Sequence, residues 1–458
     1  MGKNFLRKFI TGVSSFRGGR YAGKIISLND FCREVICGNE KVFAGQIHRR
    51  MAMDNIIPHT GVEAPAEGKR VEPTDKIKVR IIYPTGCSWN NIHTLYEAFA
   101  SDDRFQAYVL VENTVRFVNI MEKVGCRYVT YDNYSLKDDR PDILVATFYS
   151  GYDKEIIFPG CEQYIKRVYG EIPNPVMNEE NNEIHWGWIQ RAYSVLHPDK
   201  FITDPLVYNS LLDYIDHSKL VKLSSPQFDE IYNEVGKSHP VPASWKKLEG
   251  RKVFLWATDH GINEARPHNG FTVDLYLADM LRYFSEHPEV GLIFRPHPQF
   301  IREMMGAGHF WKPEELERLK DYMKNTPNVV WDDTHDYCAA YDTCDALIVD
   351  ANCSITCSFL TTGKPICRLM RYDMTEWLIS PELYDCYYYA HNFEECVSYM
   401  DMIVRGEDEK ADLRKEGMSK AILHFDGKNG QRIKDFVVED FFEFIRCCSN
   451  NKSTSSVS

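Results

Sequence analysis

From Lys76 onward the chain alternates between two hydrophobic periods. Short apolar runs of strand length are followed by stretches with apolar residues three and four apart, as on one face of a helix. KVRIIY runs into a Pro–Thr–Gly turn. WNNIHTLYEAFASD (Trp89 to Asp102) has helical spacing through Ile92, Leu95, Tyr96 and Phe99. AYVLVE (Ala107 to Glu112) reads as a strand, and VRFVNIMEKVG (Val115 to Gly125) as a helix stopped by glycine. RYVTYD and DILVATFY continue the alternation, which predicts a parallel, doubly wound sheet.

The stretch that follows is less regular. QYIKRVYGEIPNPV (Gln163 to Val176) reads as strand and loop, EIHWGWIQRAYSVL (Glu183 to Leu196) as an aromatic-rich helix. PVPASWKKLEG (Pro240 to Gly250) has the look of a boundary, with two prolines before a polar run. Alternation restarts at Arg251 with KVFLWATDH, then a helix at VDLYLADMLRYFSEH, a strand at GLIFRPHP, a charged helix at PEELERLKDYMKN and a strand at NVVWDD. HDYCAAYDTC, DALIVD, SITCSFLTTG and KPICRLM carry the pattern on, and mostly helices are expected after Phe393. The fold class expected is α/β, with two Rossmann-like doubly wound domains facing a cleft. The division expected is a basic segment and linker over 1–76, one domain over 77–245, a second over 246–448 and an unordered tail over 449–458.

With 458 residues, 44% hydrophobic and 26% charged, the chain fits a soluble globular protein of two domains. A net charge of −12 argues against broad nucleic-acid binding and leaves room for a local cationic pocket. There are 14 cysteines, none in C-x-x-C spacing, and no signal-peptide pattern, so reduced thiols in a cytoplasmic protein are expected. Cys338, Cys344, Cys353 and Cys357 near His335 match no zinc spacing. No metal is expected: DDR (Asp102 to Arg104) and WDD (Trp331 to Asp333) hold adjacent acids, not an Asp-x-Asp pair. Lys3, Arg7, Lys8, Arg17, Arg20 and Lys24 precede the first acid, Asp30, with Phe5, Ile10, Val13 and Phe16 among them. Residues 1–30 are therefore either a peripheral contact with an anionic membrane face or a solvated terminus.

Candidate chemistry gathers where two apolar runs break into polar residues. VGLIFRPHP (Val290 to Pro298) leaves Arg295 and His297 at one strand end. DALIVDANCSIT leaves Asp350, Asn352, Ser354 and Thr356 at another. Ligands of open α/β sheets sit at the carboxyl ends of strands. Ser354, Thr356 and Ser358 crowd a helix start, where free N–H groups and hydroxyls suit a phosphate; a plain helix cap is the alternative use of Ser354. His297 is held between two prolines. His260 follows a strand in WATDH. Asp350 either caps the next turn or meets a ligand. Lys364 is either a phosphate contact or an exposed lysine. Trp186, Trp188, Tyr193 and Tyr387 to Tyr389 serve either stacking or core packing.

Six stretches, in order, resemble the CDP-glycerol glycerophosphotransferase family of teichoic-acid-type polymerases. They are SSPQFDEI (Ser224 to Ile231), ASWKKLEGRKVFLWATDHG (Ala243 to Gly261), LIFRPHP (Leu292 to Pro298), CDALIVDANCSIT (Cys344 to Thr356), TTGKPI (Thr361 to Ile366) and HFDGKNGQRI (His424 to Ile433). The resemblance implies the GT-B fold and a donor in which cytidine diphosphate carries a polyol such as glycerol. No bound cofactor beyond that CDP-polyol is implied. An acceptor hydroxyl on a cell-surface glycan or lipid-linked molecule would attack the phosphorus bearing the polyol, and CMP would leave. Carried over by position, His297 would bind or protonate the leaving phosphate and Arg295 would support the loop or the charge. Ser354 and Thr356 would hold the diphosphate; Asp426, Gly427 and Arg432 would border the nucleotide. Arg suits bidentate phosphate contact, and a helix terminus adds only ~0.3–1 kcal/mol per anion.

The chain departs from the family where a His–Gly pair supplies the expected general base. VYGEIP (Val168 to Pro173) has Tyr169 before Gly170, and a phenol with an ordinary pKa of about 10 is a poor base near neutrality. His185, His197 and Asp204 lie nearby in sequence. Two rival readings stand beside the transferase: a GT-B glycosyltransferase using a nucleotide sugar, and a non-catalytic nucleotide-binding subunit of a polymer-assembly complex.

Overall fold

The computed structural model describes residues 70–83, 89–147, 161–172, 198–206, 208, 215–234, 237, 239–259, 271–297, 300–305, 312–334, 337–350, 355–371 and 381–454. The basic N-terminal segment, the helix expected over 183–196, and His185, His197, His260, His335, Cys353 and Ser354 lie outside these residues.

Seven parallel strands form the first sheet: β1 (Ile77–Tyr83), β2 (Phe105–Val111), β3 (Tyr128–Thr130), β4 (Ile143–Thr147), β5 (Arg167–Ile172), β6 (Lys200–Thr203) and β7 (Leu220–Lys222). Their order is β3-β2-β1-β4-β5-β6-β7. The chain moves outward through β2 and β3, then crosses back to β4 on the other side of β1. Central strands such as FQAYVLV are buried along their whole length because helices cover both faces. Arg80 is the exception that tests the rule. It is fully buried in β1, donates to Val79 O, Gln106 O and Gln106 Oε1, and pairs with Asp139 in the helical turn Leu136–Asp139. A charge survives in a core when each of its N–H groups finds a partner.

The helices of this unit follow their local signals. α1 (His93–Ala100) buries Leu95, Tyr96 and Phe99, spaced to form one apolar face. α2 (Val115–Val124) starts at Thr114, whose side chain accepts the Phe117 N–H, and ends at Gly125 with φ 69°. α3 (Gln227–Glu234) lies in the SSPQFDEI stretch.

The second unit is built on six parallel strands: β8 (Lys252–Ala257), β9 (Val290–Arg295), β10 (Val329–Trp331), β11 (Ala346–Asp350), β12 (Ile366–Leu369) and β13 (Tyr388–Ala390). Their order, β10-β9-β8-β11-β12-β13, repeats the same doubly wound plan. α4 (Val273–Glu286), α5 (Phe300–Met305), α6 (Pro313–Asn325), α7 (Cys338–Thr343) and α8 (Ile355–Leu360) connect the strands, and α9 (Phe393–Val404) follows β13. The core between α4, α9 and the sheet includes Phe254, Trp256, Phe284, Phe294, Ile348 and Met400. Of the Tyr387 to Tyr389 run, read as stacking or core packing, Tyr388 and Tyr389 lie in edge strand β13 and Tyr387, just before it, is fully buried.

After α10 (Ala411–Ala421) comes the long α11 (Asn429–Thr454). The sequence reading placed 246–448 in one domain. In the structure Ile433, Val437 and Phe441 of α11 pack into the core of the first sheet, and residues from 413 onward group with the first unit. The tail expected to be unordered from Ser449 is helical to Thr454. Ile433, Val437 and Phe441 recur four apart on one helix face, and Phe436, Val438 and Phe442 pack, partly buried, on either side of that stripe.

Candidate functional site

Both sheets run outward, return, and run out the other way, so each has a point between its first and fourth strands where adjacent connections diverge. In the second sheet this point lies between β8 and β11. Ala257 at the end of β8 is level with Arg295 of β9 on one side and Val349 of β11 on the other. The strands that run into the two stretches singled out in the sequence, RPHP and D-x-x-C-S-I-T, therefore end at the same edge, flanking β8. Neighbouring strands lie about 4.8 Å apart, so the ends of β9 and β11 are separated by roughly 10 Å.

Arg295 is the last residue of β9 and is largely buried. Its Nη1 donates to Asp332 Oδ2 and to Thr334 Oγ1 (3.2 Å). Asp332 is itself fixed: its Oδ1 accepts the Thr334 N–H (2.9 Å) and hydroxyl (2.7 Å). The guanidinium is thus matched to a carboxylate already, and its place is to brace the ends of β9 and β10. His297, two residues on, is half-buried, and its carbonyl accepts the Phe300 N–H (2.8 Å) that opens α5.

Asp350, the last residue of β11, is completely buried. One oxygen accepts the Asp259 N–H (2.8 Å); the other meets the Thr272 hydroxyl. It ties the end of β8 to the residue before α4, and those two points flank the stretch that carries His260. Burial pushes its carboxyl up to about 7. Arg371, just past β12, is also buried and donates to Asp274 (2.8 Å) and to Phe271 O, fixing the start of α4 from the other side.

Of the three hydroxyls at the start of α8, Thr356 is buried, and Ser358 bonds Tyr341 Oη (2.6 Å) and Ile355 O (3.1 Å). Lys364 donates to the carbonyls of Tyr341 (2.6 Å), Asp342 (3.3 Å) and Cys344 (2.7 Å), where it neutralises the carboxyl end of α7. Ser358 and Lys364 are thus engaged within the unit.

Asp426, Gly427 and Arg432 belong to the other unit and are organised differently. Arg432 pairs with Asp426 (2.7 Å from Nη1), whose carboxyl the guanidinium holds down at about 2. Gly427 has φ +74°, and a Cβ there would meet Tyr232 and Asn233 at 2.9 and 2.8 Å. The same motif locks onto SSPQFDEI. Ser224 Oγ accepts the Leu423 N–H (2.8 Å), and Asp229 accepts the N–H groups of Asn429 and Gly430 and the Thr94 hydroxyl, each at 2.8 Å. The two stretches are complementary halves of one helix-start clamp.

Tyr169, where the resemblance would seat a general base, is fully buried in β5. Its hydroxyl donates to Asp440 (2.7 Å) and Val437 O (3.2 Å) on α11. Burial and the Asp440 carboxylate push the phenol far above its ordinary value. Asp204 is buried as well and accepts the Ser225 N–H (3.1 Å). Cys344 is buried, its thiol pushed up to about 12, the reverse of what a thiolate ligand needs. Among the described residues, no group of three or more His, Cys, Asp or Glu is placed to hold a metal.

The sequence reading did not single out Thr272, Asp259 or Asp332 for the site. Each sits within two residues of an element's end, where a short polar side chain caps a turn or braces a strand. That position was the available signal.

No protein-family model and no curated protein matches this chain. Solved structures do. S. aureus MnaA in complex with UDP is 13% identical, with a TM-score of 0.55 over 79% of this chain and 95% of that one. UDP-GlcNAc 2-epimerase from Neisseria meningitidis, bound to UDP-GlcNAc, is 12% identical, with a TM-score of 0.55 over 79% and 100%. UDP-GlcNAc 2-epimerase from Methanocaldococcus jannaschii, with UDP-GlcNAc and UDP, is 13% identical, with a TM-score of 0.54 over 79% and 99%. At these identities the likeness is one of fold, and it establishes the expected α/β class of two Rossmann-like units, as in GT-B proteins.

Proposed function

We propose that the chain is a transferase that takes an activated group from a nucleoside diphosphate donor, with the diphosphate at the carboxyl edge of the second sheet. The observation that carries this reading is that β9 and β11, which lead into RPHP and D-x-x-C-S-I-T, end at the same sheet edge on the two sides of β8. The donor we favour is a CDP-polyol, CDP-glycerol first. The acceptor is a hydroxyl of a cell-surface glycan or lipid-linked molecule. The acceptor hydroxyl oxygen forms a bond to the phosphorus bearing the polyol as its proton passes to a base or to solvent, the bond to the CMP oxygen breaks, and CMP leaves with the electron pair. Such transfers need positioning and charge neutralisation more than covalent chemistry. His297 is the group proposed to bind or protonate the leaving phosphate. Arg295, already matched by Asp332, holds the loop that presents it. Residues 1–30 remain the candidate peripheral membrane contact; among the described residues no helix is long and apolar enough to cross a membrane.

A second reading, use of a nucleotide sugar, is favoured by the UDP and UDP-GlcNAc bound to proteins of the same fold. The two separate in one experiment. Purified protein is given CDP-glycerol, CDP-ribitol, UDP-sugars and GDP-sugars with a crude surface-glycan acceptor, beside His297→Ala. CMP release that falls by about 10²–10⁴ in His297→Ala supports polyol-phosphate transfer. Release from a sugar nucleotide alone replaces the donor. Nucleotide binding without turnover, unaffected by His297→Ala, points to a binding subunit.

A further inference from the structure

Asp350 differs from the acids around it. Asp332 has Arg295 and Asp274 has Arg371, but Asp350 is 0% exposed and, among the described residues, no cation pairs with it. The groups that face it from the described elements are few. The end of β8 offers the Asp259 N–H. The residue before α4 offers the Thr272 hydroxyl and N–H, and the first turn of α4 adds the negative charge of Asp274. From β12 its neighbour is apolar Leu369; Arg368 is level with Val349 and so lies on the opposite face of the sheet. A carboxylate removed from water with no counter-ion is strongly disfavoured, and the group takes a proton instead. The neutral form fits the same geometry: its O–H donates to Thr272 Oγ1 and its other oxygen still accepts the Asp259 N–H. The Thr272 hydroxyl, which can donate or accept, lets both forms persist.

We propose that Asp350 is a neutral acid at the floor of the donor site, and that its ionisation weakens binding of an anionic donor. This rests on the reading that a nucleoside diphosphate lies at this edge. A proton-linked positioning residue follows. Above neutral pH the free protein carries a buried negative charge at the end of β11. A diphosphate arriving there favours the protonated form, so binding takes up one proton from solvent, carboxylate plus proton giving carboxylic acid. A diphosphate esterified at both ends has no ionisation of its own near neutrality, unlike a phosphate monoester.

The test uses full-length protein and calorimetric titration with CDP-glycerol and with UDP-GlcNAc, from about pH 6 to about pH 8.5, for wild type, Asp350→Asn and Thr272→Val. Wild-type Kd should rise above about pH 7, by up to about tenfold per pH unit. Asp350→Asn should lack that rise, and any slope left in both chains belongs to other groups such as His297. Thr272→Val, which removes a donor to the carboxylate, should move the break to higher pH. Proton uptake, counted in buffers of different ionisation enthalpy, should be present in wild type and absent in Asp350→Asn. Parallel pH profiles for all three chains overturn the proposal. A second readout needs no donor: the unliganded wild type should lose stability relative to Asp350→Asn from about pH 4 up to about pH 7, and the difference should level off above that. Should neither nucleotide bind, the functional reading fails and the coupling with it, while this comparison still decides whether Asp350 is held neutral.

Discussion

Removing the Asp229 carboxylate should release the start of α11. Asp229 is fully buried and accepts three hydrogen bonds, from Asn429 N, Gly430 N and Thr94 Oγ1, each at 2.8 Å. Asp229→Ala leaves two backbone N–H groups at the helix start and one hydroxyl without a partner. Each buried orphan costs about 1–3 kcal/mol, and the lost charge at the positive helix end adds about 0.3–1. The three share one site, so their sum is not additive; about 3–5 kcal/mol is expected. Asp229→Asn keeps one acceptor oxygen and should lose about 1.5–3. Thr94→Ala, which removes only the hydroxyl, should cost about 1. Gly430→Ala attacks the same contact by volume: its Cβ would lie 2.4 Å from the Thr94 backbone, so α1 and α11 must separate. With two units in the chain, global unfolding is not a single transition. The assay is therefore hydrogen exchange across Asn429–Thr454, beside denaturant unfolding. Loss of protection should run along α11 in the order Asp229→Ala, then Asp229→Asn, then Thr94→Ala. A destabilisation below about 1 kcal/mol for Asp229→Ala, with α11 exchange unchanged, would refute the clamp.

Tyr169→Phe should cost about 1 kcal/mol by removing a hydrogen bond to Asp440, which keeps its pair with Arg167, yet keep turnover; loss of turnover with the fold intact would bring Tyr169 into the chemistry. His93 bonds Glu230 and pairs with Glu97, and the Glu230 carboxylate, opposed by partial burial, raises its pKa above the ordinary 6.5. Its contribution is fully present below 6.5 and vanishes as pH climbs through the raised value. The stability gap between wild type and His93→Gln should shrink over that rise, and a constant gap would contradict it. Asp139→Ala should cost about 3–5 kcal/mol in denaturant unfolding, because Arg80 would be left buried with its carboxylate gone; a loss near zero would mean that Gln106 and the carbonyls suffice.

The alternation of strand and helix was plain in the sequence because each period was undisturbed: FQAYVLV and ALIVD are buried throughout, and α1 and α4 present one apolar face. The common edge of β9 and β11 was legible for the same reason, since the apolar runs that end in Arg295 and Asp350 end at the carboxyl side of parallel strands. What could not be read was long-range. Nothing local says that α11 packs on a sheet begun some 350 residues earlier, or that Asp229 caps it across |i−j| separations of 200 and 201. Tyr169 stands where the resemblance puts a basic His, and its chemistry argued against that role; what it does instead, bonding α11 from a buried strand position, was not visible locally. Ser358 and Lys364 had the right chemistry for phosphate, but Tyr341 and the end of α7 claim them.

The most direct measurement is hydrogen exchange of the full-length protein with and without saturating CDP-glycerol, and with UDP-GlcNAc in parallel. Protection should concentrate at the carboxyl ends of β8, β9 and β11, in peptides spanning Ala257–Asp259, Arg295–His297 and Val349–Asp350. Protection confined to the first sheet, or none at these three ends when a nucleotide is bound, would contradict a donor site astride β8.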